Sequence, residues 1–331
     1  MSTRHLLLVS PSFHGYWRSI AEAFTRRGYA VHTHLIDADT AWGKARQKLG
    51  RELPERLGRS HWIGDDATQR AALRLRELHP DVLLVVKGDT LEDDFWSEAQ
   101  RIPRRALWLY DELRRTRHTT TTLRAAGSIA SYSPLDVAHL AAEGFTAVHV
   151  PLAHDPHLKV TPRPSPEVCF IGARYPARER LLADLVAAGV PVRAHGRDWS
   201  PHPLDRLRTW RLGQPGLPAG RDLARTDAYA VMAGSPAALN IHGDQDGFTM
   251  RTFEVPGVGG LELVDRADVS QHYDLGTEVA VFADAAEAID LYRRAMADRT
   301  WSGSIRAAGR RRTLAEHTFD HRAEALESLW A

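Results

Sequence analysis

The densest group of residues that can do chemistry lies in Leu239–Asp265, which reads LNIHGDQDGFTMRTFEVPGVGGLELVD. A short apolar run leads into a loop of Gly and Asp residues, and the pattern predicts a helix that begins near Phe248. Such a helix directs unpaired backbone N–H groups into the loop, where they favour a phosphate. Gly247 permits close backbone approach, Arg251 offers a fork of donors suited to a diphosphate, and the Glu254 carboxylate can accept hydrogen bonds from a vicinal diol such as a ribose. The alternative interpretation is a solvated helix face after a polar turn.

The first half of the chain alternates short apolar runs with segments of helical period. Apolar runs of this length are typical of strands covered on both faces, and alternation with helices makes the strands parallel. The pattern therefore predicts a doubly wound α/β domain. Residues 38–66 interrupt it with polar, Arg-rich sequence that contains Trp42 and Trp62, either as a helical excursion near a substrate or as an ordinary insertion. The predicted strands are His5–Ser10, Ala30–Ile36, Asp81–Val86, Ala106–Tyr110, Ile129–Tyr132 and Ala147–Val150, and the predicted helices are 16–27, 68–79, 92–100 and 134–143.

A proline-rich segment, DPHLKVTPRPSPE at 155–167, separates this series from a second one. Because proline fixes φ and cannot extend a helix or a central strand, the segment is predicted to be an interdomain linker. The fold class is α/β, with Rossmann-like domains at 1–154 and 168–315 facing each other across a cleft of the kind that holds small molecules. The second series has predicted strands at Val168–Ile171, Val190–Ala194, Ala238–Ile241, Gly260–Val264 and Val279–Phe282, and predicted helices at 177–188, 284–297, 303–316 and 320–330.

Composition excludes several classes of protein. Hydrophobic residues make up 43% of the 331 residues and charged residues 26%, which is typical of soluble folded chains. With 43 basic and 42 acidic residues, the net charge of +1 gives no field for capturing nucleic acid or an anionic membrane. The lone Cys169 cannot form an intramolecular disulfide. The apolar run Leu6–Val9 is too short for a signal peptide or a membrane span, so a cytoplasmic protein without a transmembrane segment is expected.

The stretch DGFTMRTFEVPGVGG resembles the C-terminal half of GT-B glycosyltransferases of the glycosyltransferase-4 group, whose pattern is E-G-F-G-x-x-x-x-E-A-x-A-C-G. Asp246 and Glu254 stand at the spacing of its two Glu residues. The closer resemblance is to the branch of proteins like the spore maturation protein CgeB, which typically reads R-T-F-E-x-x-A-C-G. Further fragments occur in the expected order along most of the chain: KGDTLEDDF, ALWLYDEL, VPLAHDP, CFIGARYPARERLL, AHGRDW and EHTFDHR. The chain departs from the pattern at Asp246, at Val258 in place of Cys, and at Pro256 within the helix.

The resemblance implies that residues 316–331 form a C-terminal helix that packs back on the first domain, and that the second domain binds a nucleotide sugar. A basic residue after the first strand of that domain is expected against the diphosphate, with Arg174 as first choice and Arg178 as second; an ordinary ion pair with Glu179 is the alternative. Glu254 would hold the ribose and Asp246 the sugar, although an Asp is one methylene shorter than the usual Glu. The residues expected to bind the nucleotide sugar in this domain are Gly172, Arg174, Arg178, Gly247, Phe248, Thr249, Arg251 and Glu254.

Three further positions belong to the first half of the chain. His14 and Gly15 follow the first strand, in a loop that faces the donor and acceptor in GT-B enzymes; a plain turn is the alternative. Asp111 follows a strand and matches an acidic position near the acceptor site, or else caps the next helix. The catalytic candidates are therefore Asp111, Asp246 and His14. His154, next to the proline-rich segment, is a weaker candidate for a site residue.

These residues predict a glycosyltransferase that moves a sugar from a UDP, GDP or dTDP sugar to a small acceptor. Resemblance to the glycosyltransferase-4 group implies retention of configuration, with the leaving phosphate assisting deprotonation of the acceptor; Asp111 or His14 would be the base if the reaction inverted. Asp244 and Asp246 spell the D-x-D of metal-dependent GT-A enzymes, but the two-domain pattern favours GT-B, with no metal and no cofactor besides the donor. Glu262 repeats the spacing from Glu254 but lies in a strand. The alternatives are a nucleotide-sugar 2-epimerase and a non-catalytic nucleotide-sugar-binding protein.

Overall fold

The structure is a computed structural model that describes residues 3–37, 66–210, 213 and 215–330. The predicted excursion with Trp42 and Trp62 lies outside the described residues, apart from its last position. Contacts divide the chain into two compact units, one formed by Met1–Pro151 with Arg322–Ala331 and the other by Leu152–His321. No described helix is long and apolar enough to cross a membrane.

A parallel sheet of six described strands forms the centre of the first unit. The strands are β1 (His5–Ser10), β2 (Ala30–Leu35), β3 (Val82–Val86), β4 (Arg104–Leu109), β5 (Ser128–Ser131) and β6 (Ala147–His149). Their order is β2-β1-β3-β4-β5-β6, so the chain leaves β1 on one side and returns on the other. The apolar run Leu6–Val9 and all of β3 are buried, as expected for strands covered on both faces.

Five described helices flank this sheet: α1 (Tyr16–Arg26), α2 (Asp66–Leu78), α3 (Asp93–Ala99), α4 (Thr120–Ala126) and α5 (Pro134–Ala142). The sequence did not predict α4. It begins with a capping box, in which Thr122 N donates to Thr119 Oγ1 at 3.2 Å and Thr119 N donates to Thr122 Oγ1 at 2.9 Å. Short 3-10 turns, Phe13–Gly15 and Leu113–Arg115, follow β1 and β4.

The second unit is built on another parallel sheet of six described strands. These are β7 (Val168–Ile171), β8 (Val192–His195), β9 (Ala219–Gly220), β10 (Ala238–Asn240), β11 (Glu262–Val264) and β12 (Ala280–Val281). Their spatial order is β9-β8-β7-β10-β11-β12. Counted within the unit this is 3-2-1-4-5-6, the order of a Rossmann fold. The two predicted Rossmann-like α/β domains are confirmed.

The helices of the second unit include two that the sequence did not predict, α7 and α8. They are α6 (Pro176–Ala187), α7 (Pro203–Thr209), α8 (Arg225–Gly234), α9 (Met250–Gly257), α10 (Ala285–Ala297), α11 (Arg299–Glu316) and α12 (Phe319–Glu327), the last continuing into residues of the first unit. In α8 five consecutive residues, Ala228–Met232, are buried, so its sequence lacks an apolar stripe of helical period.

The proline-rich segment 155–167 lies within the second unit, because the division precedes it. Arg163 N donates to the Ala230 carbonyl at 2.8 Å, and Arg225 Nη2 binds the buried Asp155 carboxylate at 3.2 Å. The segment therefore packs on α8, whereas the sequence analysis predicted an interdomain linker.

The last residues of the chain contact the start of the first unit. Glu327 accepts hydrogen bonds from Arg27 Nε at 2.6 Å and from the Tyr29 hydroxyl at 2.9 Å, and Trp330 Nε1 donates to the same hydroxyl at 3.2 Å. These bonds hold residues after Arg322 against α1 and the start of β2.

Candidate functional site

The second sheet has its topological switch point between β7 and β10. From β7 the chain proceeds outward to β8 and β9, and then it crosses back to place β10 on the other side of β7. Open α/β sheets bind ligands at the carboxyl ends of the strands that border such a point. The loop after β7 carries Gly172 and Arg174, and the loop after β10 leads through Gly247 into α9. The structure thus brings the predicted nucleotide-sugar residues of this unit to one edge of the sheet.

Arg178, on the first turn of α6, ties these two loops together. Its Nε donates to the Ile241 carbonyl at 2.8 Å and its Nη1 donates to the Ala173 carbonyl at 3.1 Å. The guanidinium lies 5.5 Å from the centre of the Phe170 ring and 4.9 Å from that of Tyr175. Arg178 is buried, and its two hydrogen bonds hold the loop after β7 to the end of β10 at the switch point.

Arg174 is bound to a carboxylate in this structure. Its Nε donates to Glu179 Oε2 at 3.0 Å, and its Nη2 donates to the other oxygen of the same carboxylate. Its Nη1 donates to the Gly213 carbonyl at 3.1 Å. The ion pair with Glu179, the alternative considered from sequence, is therefore formed. Gly172 is tightly packed as well, because Trp199 Nε1 donates to its carbonyl at 2.9 Å and a Cβ there would lie 3.2 Å from the Phe170 ring.

Arg266, which the sequence analysis did not select, organises the loop after β10. Its guanidinium donates to the carbonyls of three consecutive loop residues at 2.8 to 3.2 Å and lies 4.1 Å from the centre of the Phe248 ring. Asp246 is half-buried and Phe248 is buried. The signal available in the sequence was an Arg two residues after β11, at the edge where the loop must fold back. The carbonyls that it binds belong to Gln245, Asp246 and Gly247.

Helix α9 begins at Met250, two residues after the predicted start near Phe248, and the half-buried Thr249 is its N-cap. Arg251 and Glu254 lie three residues apart on one face of this helix and form an ion pair. The Glu254 side chain is 0% exposed and the Arg251 side chain 22% exposed, and Arg251 Nε also donates to the Ile171 carbonyl at 3.3 Å. The pair therefore joins α9 to the end of β7.

Glu262 lies below this edge, in the sheet, as its strand position predicted. Asn240 Nδ2 donates to Glu262 Oε1 at 2.7 Å and to Thr252 Oγ1 at 2.9 Å. Burial raises the pKa of Glu262 well above its ordinary value, an effect that the hydrogen bond from Asn240 opposes. These contacts connect β10 and β11 to α9 inside the core.

His242 and Asp265 form a buried pair that the sequence analysis also missed. The Asp265 carboxylate accepts hydrogen bonds from the His242 backbone N at 2.9 and 3.0 Å and from Nδ1 at 2.8 Å. The register Asn240↔Val264 between β10 and β11 brings the two residues together, since each lies just beyond its strand. A His and an Asp after neighbouring parallel strands were the signal for this pair.

The three candidates of the first half lie at the carboxyl edge of the first sheet. His14 is exposed and has a φ of 46°, and Gly15 has a φ of 76°, in the 3-10 turn after β1. Asp111, beyond β4, binds Lys87 Nζ at 2.6 Å. Lys87 directly follows β3 with a φ of 63°, a strained conformation for a non-Gly residue, and the His118 ring donates to its carbonyl at 2.7 Å.

A cavity of about 470 Å³ opens at the same edge of the first unit. Its lining is mostly polar and includes Asp89, Glu92 and Arg117. His154, the weaker candidate, is buried in the second unit against Tyr229 and Gly257, and burial lowers its pKa to about 4. Among the described residues, no group of three or more His, Cys, Asp or Glu side chains is arranged to hold a metal ion.

Comparison with known proteins agrees with this architecture. Residues 176–328 match the family described as glycosyl transferase-like, and no curated protein matches the chain in sequence. HepE from Anabaena, solved in complex with UDP-glucose, is 12% identical with a TM-score of 0.63 over 98% of both chains. Sucrose-phosphate synthase from Thermosynechococcus elongatus is 14% identical with a TM-score of 0.63 over 99% of this chain and 98% of that one.

A third similar structure, from Listeria monocytogenes, is described as a UDP-N-acetylglucosamine 2-epimerase. It is 12% identical with a TM-score of 0.55, over 99% of this chain and 95% of that one. Identities this low establish the fold alone. The chain has the two-domain, Rossmann-like α/β fold of GT-B proteins. The range that matches the glycosyl transferase-like family, residues 176–328, includes α6, the loop after β10 and α9, but begins after β7 and its loop.

Proposed function

We propose that this protein is a glycosyltransferase that moves a sugar from a nucleotide-diphosphate sugar to a small acceptor. The observation that carries the proposal is the switch point of the second sheet, which the loops after β7 and β10 and the N-terminus of α9 border. The loop after β10 and α9 lie within residues 176–328, the range that matches a glycosyl transferase-like family. HepE, which shares the fold, is described in complex with UDP-glucose.

In this proposal α9 provides the main contacts to the nucleotide. Its first backbone N–H groups point toward the loop of Gly247, where they favour a diphosphate. Arg251 and Glu254 neutralise each other in the structure. We propose that Arg251 turns to the diphosphate when the nucleotide binds, which releases the Glu254 carboxylate for the ribose hydroxyls. Arg174 would exchange Glu179 for diphosphate oxygens in the same way, while Arg178 keeps the two loops in place.

The reaction proposed is transfer with retention of configuration, without a metal ion. Positive charge at the diphosphate stabilises the leaving group as the glycosidic bond breaks, and the leaving phosphate takes the proton of the acceptor hydroxyl. Asp246 is proposed to contact the sugar. The acceptor is assigned to the first unit, near Asp111 and the Lys87 that binds it; if the reaction inverts, Asp111 or His14 is the base.

Binding of the nucleotide is the first test. Calorimetric titration with UDP, GDP and dTDP identifies the base, and Glu254→Gln is expected to weaken the preferred nucleotide roughly 10- to 100-fold, because hydrogen bonds to a charged group are lost. Glu262→Gln is the matched control, since it makes the same change eight residues away in a strand of the core. Equal affinities of wild type and Glu254→Gln would remove the ribose assignment.

Turnover separates the proposed reaction from its two alternatives. Release of the nucleotide only when an acceptor is present supports transfer. A 2-epimerase, the description given to the similar Listeria structure, would convert the donor sugar with no acceptor. Tight nucleotide binding with neither reaction, across a panel of donors and acceptors, would indicate a non-catalytic binding protein.

A further inference from the structure

The imidazole of His242 is held at one nitrogen and lacks a partner at the other. Its side chain is only 1% exposed. Nδ1 lies 2.8 Å from Asp265 Oδ1, but Nε2 has no hydrogen-bond partner within the part of the chain that the structure describes. Buried polar atoms are almost always satisfied in folded proteins. An unsatisfied Nε2 at the carboxyl edge of the sheet, where folds of this kind bind ligands, therefore points to an atom of a ligand.

Asp265 determines what the other nitrogen can do. A carboxylate only accepts hydrogen bonds, so the Nδ1 that faces it carries a proton, and Nε2 is directed to the opposite side of the ring. The carboxylate also binds the His242 backbone N twice, which fixes the ring relative to the end of β10. In the protonated ring Nε2–H is a charge-assisted donor that can bind an anionic oxygen.

The ring of His242 packs against the loop after β10, among the residues assigned to the nucleotide sugar. His242 is the second residue after β10, at the switch point, and its ring meets the edge of Phe248 at 5.4 Å between centroids. Arg266, on the far side of Phe248, is bound to Asp268 and to loop carbonyls. Arg174 and Arg251 each bind a carboxylate, and Arg178 binds two carbonyls. His242 differs from these groups in that its outward donor position is not taken by a described residue.

We propose that the His242 ring, oriented by Asp265, donates in its protonated form from Nε2 to an oxygen of the diphosphate of the nucleotide sugar. The residue is thus a binding group for the leaving group of the proposed transfer, and this inference rests on the proposed function. The next two residues, Gly243 and Asp244, are exposed.

Two amide substitutions separate ligand binding from a structural role. In His242→Asn the amide nitrogen takes the place of Nδ1 and keeps the bond to Asp265, whereas in His242→Gln it takes the place of Nε2 and keeps the donor for the ligand. His157→Asn is the matched control, because the exposed His157 also pairs with an Asp, 3.1 Å from Asp320. Melting temperatures of all variants establish that each is folded before binding is compared.

The probes are UDP, GDP and dTDP, their nucleosides, and inorganic pyrophosphate, measured by calorimetry. His242→Asn is expected to lose roughly 10- to 100-fold in affinity for the preferred nucleoside diphosphate and for pyrophosphate, as for a lost charge-assisted bond. The affinity of His242→Asn for the nucleoside is expected to stay unchanged. His242→Gln is expected to lose less affinity for the diphosphates than His242→Asn does. Wild-type affinity of His242→Asn for the diphosphates, or an equal loss for the nucleoside, would overturn the proposal. If pyrophosphate binds through His242 and no nucleotide binds, the proposed function fails while this site stands.

Discussion

The two partners of the ion pair between Arg251 and Glu254 should differ in how much their loss lowers the stability of the protein. Arg251→Met removes the guanidinium from a carboxylate that is 0% exposed, whereas Glu254→Gln leaves a guanidinium that is 22% exposed. After the second change Arg251 also keeps its bond to the Ile171 carbonyl at 3.3 Å. Because an ion is penalised more severely the less water it retains, the two substitutions should differ although they break the same pair.

Typical energies of buried pairs set the expected size of each effect. Loss of one partner of a fully buried pair costs about 3–5 kcal/mol, so this range applies to Arg251→Met. For Glu254→Gln we expect about 1.5–3 kcal/mol, the value of a hydrogen bond to a charged group, because the remaining charge reaches water. The double variant carries neither charge and should be more stable than Arg251→Met alone.

Urea unfolding at pH 7, followed by circular dichroism, measures the free energy of unfolding of the three variants and of wild type. The reasoning is refuted if Glu254→Gln is the more damaging single change, or if the double variant loses the sum of both single effects.

Two further predictions concern the residues packed around α9. The raised pKa of the buried Glu262 means that the folded protein keeps a proton that the unfolded chain releases above the ordinary value of 4.5, so Glu262 makes stability fall as pH rises from there. Urea midpoints measured from pH 4.5 to 8 should show a smaller fall for Glu262→Gln; parallel curves would contradict the burial argument. Gly257→Ala should lower stability by roughly 1–3 kcal/mol, because a Cβ there would lie 2.4 Å from the buried His154 ring. The control is Gly303→Ala on the exposed face of α11, which should raise stability by up to about 1 kcal/mol in thermal unfolding. A rise in stability for both variants would show that the His154 ring moves to make room for the added methyl group.

Most strands and helices could be predicted from sequence because the spacing of apolar residues along the chain indicates which faces of each element are buried. Buried parallel strands such as β1 and β3 are continuous apolar runs, and they were placed within a residue or two of their observed bounds. Helix α8 was missed because it is buried on more than one face, and β9 because it is two residues long. Local pattern cannot report elements whose character comes from their neighbours.

The candidate site was predictable as a segment but not as a set of contacts. Spacing put Arg251 and Glu254 on one face of a helix, and the structure shows that they bind each other. Arg174 and Glu179 were recognised as a possible ion pair, which is formed. The carbonyls that Arg266 binds lie about twenty residues earlier in the chain, a separation that no local spacing rule covers.

The sequence by itself determined that the chain forms two α/β halves and that Leu239–Asp265 carries the residues with phosphate chemistry. The period of apolar residues and the conformational limits of Gly and Pro are local properties, so they can be read along the chain. Only the tertiary structure decided which polar groups meet. The register of β10 with β11 brings His242 to Asp265, and the crossing from β7 to β10 lets Arg178 join two loops that are almost seventy residues apart. Those contacts depend on strand order and register, which the sheet sets only as a whole.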